Sequence, residues 1–359
     1  MSKALVPILC LFATSLVGGC NSSGFNRSDE VPSSLDADEV ADAITSAEAA
    51  LVEGRPQLAL DWMRTAAELR QMPREQRNRV QHLLEISADQ FIKRLGEDAD
   101  PESLADFLDL GLPRQIAVTG AMQAAALYLA RGKYTAAKSL IQKIDQQFPT
   151  HHLRPEAGGI LVEAGLRLSE HKAAWLIFSK RDDALAALEY SSIHYPQAQG
   201  GDLVLRRLAE MYEEDSLWAL AIDRHEELVQ SFPRSPLVPF SLARIPHLRL
   251  ASIASPEYDR EALQSARDEL ERWLEDNAGH EVTDTVIADL EDALHRLGES
   301  DLVIAKFYRA IDLDYGQRFH ARRGLAEGLA AGDTHQTSTA QALLDELPAE
   351  AALAGEATP

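Results

Sequence analysis

YLARGKYTAAKSLIQKIDQQFP, residues 128–149, carries three landmarks: Tyr128, Ala137 nine residues on, and the closing pair Phe148-Pro149. The same landmarks return at the same offsets as Trp175, Ala184 and Tyr195-Pro196, and again as Tyr212, Ala221 and Phe232-Pro233. With aromatics at 6% of the chain, chance would fill fewer than one of the six aromatic positions. The mechanics are those of a helical hairpin. An aromatic on the first helix packs near the turn, a small alanine on the second lets two backbones approach, and proline stops the second helix. Gly132-Lys133-Tyr134 and Ser216-Leu217-Trp218 supply the turns.

Working outward, alanine, leucine, arginine and glutamate dominate, and apolar residues recur at spacings of three and four rather than two. The expected fold class is all-α. The landmarks resemble the tetratricopeptide repeat, a hairpin of about 34 residues, which implies hairpins stacked into an α-solenoid. A weaker copy runs from Val40 to Pro73, with Glu53-Gly54-Arg55 at the turn, Ala59 in the alanine place and Ala50 where the aromatic would stand. Intervals of 47 and then 37 residues between the three aromatics make the array irregular. The excess between Thr150 and Gly159 predicts an extended loop or a lengthened helix.

The N-terminus reads as an address. An apolar run from Ala4 to Val17 is too short for the roughly 20 residues that a membrane-crossing helix needs, which favours a cleaved segment. Leu16-Val17-Gly18-Gly19-Cys20 resembles the lipobox of bacterial lipoprotein signal peptides, which implies cleavage before Cys20 and acylation of that residue. Asn21 in place of aspartate implies sorting to the outer membrane. Cys10 falls in the discarded segment, so no disulfide is possible within one mature chain. The expected organisation is a signal peptide over 1–19, a tether over 20–35, an N-terminal helical region over 36–115, repeats over 116–234, a C-terminal helical region over 235–348 and a disordered tail over 349–359.

The C-terminal half resembles the BamD family of outer-membrane assembly lipoproteins. The matching stretches are Ala221 to Pro236 with its Phe232-Pro233-Arg234-Ser235-Pro236 ending, Asp259 to Asn277 with Trp273-Leu274, and Arg296-Leu297 together with Val303-Ile304-Ala305-Lys306-Phe307-Tyr308. The resemblance implies a lipid-anchored scaffold on the periplasmic side of the outer membrane, with proteins of the cell envelope, the β-barrel assembly complex among them, as partners. An adaptor for cell-wall synthesis or another envelope machine is the alternative, favoured by the additional N-terminal helices.

Other classes find little support. A net charge of −22 argues against a nucleic-acid-binding protein. His225-Glu226 opens like a zinc-protease helix, but Val229 stands where the second histidine belongs. In His280-Glu281-Val282-Thr283-Asp284, Thr283 or Asp284 reads as a helix cap. Ser169 and Lys172 have serine–lysine spacing without the companion motifs of that class, and His151-His152 reads as a pair of exposed loop histidines. We expect no catalytic residue, no metal and no cofactor.

Repeat arrays act through a curved surface. By resemblance to the repeat family, residues 15, 11 and 8 before each template alanine line the concave side. These are Met122, Ala126 and Leu129, then Ser169, Ala173 and Leu176, then Arg206, Glu210 and Glu213. Met122, Leu129, Leu176, Arg206, Glu210 and Glu213 are therefore the candidate partner-binding residues, in a groove apolar at one end and charged at the other. Its apolar end needs a cover, either the chain's own helix around Arg77 to Leu95 or a segment of a partner.

Overall fold

The computed structural model describes residues 30–94, 99–170, 178–253 and 259–348. Among them are fifteen α-helices and no strand. In order these are α1 (Val40–Val52), α2 (Pro56–Ala67), α3 (Arg74–Lys93), α4 (Pro101–Ala105), α5 (Arg114–Ala130), α6 (Tyr134–Gln147), α7 (Arg154–Glu170), α8 (Phe178–His194), α9 (Gly201–Glu214), α10 (Trp218–Ser231), α11 (Val238–Ser252), α12 (Arg260–Asp276), α13 (Thr283–Ala310), α14 (Asp314–Ala330) and α15 (Thr334–Asp345). The expected all-α class holds.

Five hairpin turns share one chemistry. At Gly54, Gly132, Ser216, Asp312 and Gly332 the chain takes a positive φ of 55–74°. The amide just beyond reaches back five residues to a carbonyl of the first helix: Arg55 to Ala50 (2.8 Å), Lys133 to Tyr128 (2.8 Å), Leu217 to Tyr212 (2.9 Å), Leu313 to Tyr308 (3.0 Å) and Asp333 to Gly328 (2.8 Å). A left-handed residue at this place satisfies the carbonyls that a helix end leaves unpaired. The template aromatics Tyr128 and Tyr212 thus mark the acceptor of the turn.

The closing pairs act as the spacing predicts. α6, α8 and α10 end immediately before Phe148, Tyr195 and Phe232, whose amides bond back to Ile144 (2.7 Å), Ser191 (2.8 Å) and Leu228 (2.9 Å). The prolines that follow cannot continue a helix. Ala137, Ala184 and Ala221 are fully buried. The weak copy is also real, since α1 and α2 form a hairpin on which Ala59 is buried.

The chain divides into two compact units, with the boundary between Ala124 and Ala125, inside α5. This corrects the expected boundary at 115/116. Gly120 brings α5 so near the fully buried Phe107 ring that a Cβ would collide with it, so the first half of α5 belongs with the residues before it. The tether is also shorter than expected, because Val31 and Leu35 are buried and Glu30 pairs with Arg55 at 3.1 Å. Two apolar side chains bury more favourably than they solvate, so packing starts at residue 31.

In the first unit α3 packs on α1 and α2. In the second, successive helices from α6 to α15 pack on one another, and α7 on α9, α11 on α13 and α13 on α15 make the contacts one helix further along. The stretch after Thr150 is helical from Arg154 onward and forms no extended loop. α7 begins at Arg154, and Gly158 lets it approach so closely that a Cβ would lie 2.9 Å from that of Ala198. Asp145 joins α6 to α8 by accepting hydrogen bonds from Tyr190 (2.9 Å) and Tyr195 (2.6 Å). α11 runs through Pro246 without interruption.

Candidate functional site

The first helices of consecutive hairpins line a groove of about 970 Å³ in the second unit. α7 brings Leu166, Ser169 and Glu170, and α9 brings Leu203, Arg206, Arg207, Glu210, Glu213 and Glu214. Trp218 stands at the start of α10, and α11 adds Arg244, His247 and Ala251. On α9 the charged positions repeat at three and four residues and so fall on one face, while Val204, Leu208 and Met211 are buried on the other.

The floor is a ladder of ion pairs. Arg206 Nε donates to Glu210 at 2.9 Å, and its guanidinium lies 4.4 Å from the centre of the Phe240 ring. Arg207 donates to Glu210 (3.1 Å), to Glu214 (3.4 Å) and to the Ser169 carbonyl on α7 (3.3 Å). Glu213 is the buried end of the ladder. It pairs with Arg244, and its Oε1 lies 3.2 Å from His225 Nε2. Burial alone would raise this carboxyl, but His225 and Arg244 hold it down at about 2. His247 Nδ1 meets Asp289 at 2.9 Å.

Arg206, Glu210 and Glu213 therefore come together in the groove. Arg206 and Glu210 are half-exposed and exchangeable, whereas Glu213 is committed to its own chain. Met122 is corrected: at 5% exposure it is a core side chain and can touch no partner. Leu129 is half-buried, and Leu176 lies outside the described residues, as does Cys20. Arg207, Trp218, Arg244 and His247 were not foreseen. Arg207 and Trp218 sit beside template positions, whereas α11 carries no copy of the template to fix the face of Arg244 and His247.

The other motifs resolve into structure. His225 is buried between Glu213 and Ser241, 3.1 Å from the serine hydroxyl, so it holds α9, α10 and α11 together. The expectation for His151 is corrected: it is buried 3.4 Å from Asp145, and burial depresses its pKa, while His152 is exposed. The cap expected at Thr283 or Asp284 is also corrected, because Val282 occupies that position and Thr283 instead donates to the His280 carbonyl (2.7 Å). Ser169 donates to the Leu166 carbonyl (2.7 Å), and Lys172 lies outside the described residues. Among the described residues no His, Cys, Asp and Glu cluster could hold a metal ion, and no helix is long and apolar enough to cross a membrane.

No family model matches this sequence, and no curated protein matches it. Solved structures with a similar run of helices include pilF of Pseudomonas aeruginosa, at 14% identity over 64% of this chain and 98% of that one, with a TM-score of 0.29. BtubC (BKLC) from P. vanneervenii matches at 14% identity over 75% and 94%, with a TM-score of 0.30. A circular tandem repeat protein with a novel repeat topology matches at 16% over 86% and 75%, with a TM-score of 0.17. Superpositions this loose carry no argument about function. The fold stands on the helix order and the shared turns described above.

Proposed function

We propose that this chain is a lipid-anchored, non-enzymatic scaffold on the periplasmic side of the outer membrane, which seats a segment of a protein partner in the groove of α7, α9 and α11 during assembly of β-barrel proteins. One observation carries the binding role. The Arg206–Glu210 pair on the groove floor is half-exposed, so a partner can exchange it for its own charges at little net loss. The lipobox at Cys20 supports the anchor, and the resemblance of the C-terminal half to BamD supports the assembly role.

The separate N-terminal unit favours a second reading, an adaptor for cell-wall synthases or another envelope machine. Crosslinking in intact cells, with identification of the captured proteins, separates the two, using Cys20→Ala as the mislocalised control. Barrel-assembly components are the expected capture. Wall synthases without any of those components would overturn the first reading. Arg206→Glu should weaken capture, and unchanged capture of every partner would remove the groove from the mechanism.

A further inference from the structure

The five hairpins with the shared turn can be compared position by position. Around each turn, the residue before the positive-φ position closes the first helix, and the residues four and eight further on lie one turn apart on the second. In four hairpins these positions hold Glu53, Gln57 and the buried Asp61; Arg131, Thr135, Ser139; Asp215, Ala219, Asp223; and Ala331, His335, Thr339. These are polar or small throughout. In the α13–α14 hairpin the same positions hold Ile311, Tyr315 and Phe319, which are 48%, 77% and 45% exposed. Phe307, one helical turn before Ile311, is 59% exposed. The turn needs none of these side chains, since its hydrogen bond forms equally with Glu53 or Arg131 in place of Ile311. Large exposed apolar side chains concentrated in one hairpin mark an interaction site.

The surrounding charge identifies the occupant. Between residues 303 and 323 stand five Lys and Arg side chains and two carboxylates, Asp312 and Asp314, in a chain whose net charge is −22; from outside that stretch Glu346 pairs with Arg309 (3.2 Å) and Asp301 with Arg323 (3.5 Å). Lys306, Arg309 and Arg322 are exposed beside the apolar stripe. A second copy docking on this same face would bring like charges together. Aromatic and aliphatic side chains flanked by long cationic ones match the chemical layering of a bilayer surface, with rings at headgroup depth and cations reaching phosphates.

We propose that the α13–α14 hairpin is a peripheral membrane-contact site that inserts Ile311, Tyr315 and neighbouring rings into an anionic phospholipid surface. The site is independent of acylation, so the test removes the lipid. The chain from residue 20 carrying Cys20→Ala has neither acyl groups nor the apolar segment 1–19. It should float with phosphatidylglycerol-containing vesicles and far less with phosphatidylcholine vesicles. The double variant Ile311→Ser, Tyr315→Ser should lower partitioning about tenfold or more with an unchanged thermal melt. Should that variant misfold, Lys306→Glu with Arg322→Glu keeps the apolar stripe and should remove the preference for anionic vesicles. Absence of flotation by the parent chain, or flotation unaffected by either variant, overturns the proposal. So does self-association lost with the stripe but without vesicle binding, or a photo-crosslinker at Tyr315 that captures protein and no phospholipid in cells.

Discussion

Replacing Glu213 by Gln tests the electrostatics of the groove floor. The carboxylate is largely buried, with Oε1 3.2 Å from His225 and 3.3 Å from Arg244 Nε, and Oε2 on Arg244 Nη2. Its pKa falls from an ordinary 4.5 to about 2. The folded value lies below the unfolded one, so the stabilisation is complete above pH 4.5 and disappears as pH falls towards 2. A shift of this size corresponds to about 3 kcal/mol at most, and retained hydrogen bonding to the Gln amide oxygen reduces the expected loss to about 2 kcal/mol. Hydrogen exchange of peptides from α9, α10 and α11 reads this local stability without assuming that the two units unfold together. At pH 7 the variant should exchange roughly 30-fold faster than the parent, and the two should converge near pH 2. A difference that stays constant from pH 7 to pH 2 would refute the argument that His225 and Arg244 hold Glu213 ionised.

Glu327→Gln should act in the opposite sense. Burial and the neighbouring Asp301 raise this carboxyl to about 7, so its penalty is absent below pH 4.5 and complete above 7. The variant should melt higher than the parent at pH 8 and with it at pH 4, by thermal unfolding at both values. Gly120→Ala places a Cβ against the buried Phe107 ring and should destabilise the first unit by about 1–2 kcal/mol, overpacking outweighing the gain in helix propensity, as a lowered urea midpoint. Arg206→Glu breaks a half-exposed pair worth about 0.5 kcal/mol or less, so the melting temperature should hold while crosslinking to partners weakens.

The hairpin from Tyr128 to Pro149 was legible because its turn and stop are local events, each settled by residues within one or two turns of the helix. The α13–α14 hairpin has the same turn but was not legible. Gln317 fills the alanine place, where it is buried and donates to the Leu343 carbonyl at 2.8 Å. A long polar side chain is tolerated at that close approach only because a carbonyl from another helix is there to receive it. Arg206, Glu210 and Glu213 could be read from register, since α9 keeps the template spacing. Met122 obeyed the same register and was nonetheless buried, since register assigns a face of a helix and says nothing of what covers it.

By itself the amino-acid sequence determined the all-α class, the positions of the helix stops and which face of α9 carries charge, because helix periodicity and capping depend on neighbours close along the chain. Tertiary structure alone decided that Asp145 meets Tyr190 of α8 and Tyr195 just beyond its end, that Arg244 from α11 takes up Glu213, and that Ile311 and Tyr315 stay exposed. Those outcomes depend on which helices come to lie side by side. The packing that brings Arg244 to Glu213 joins residues 31 positions apart, a distance over which local pattern carries no instruction.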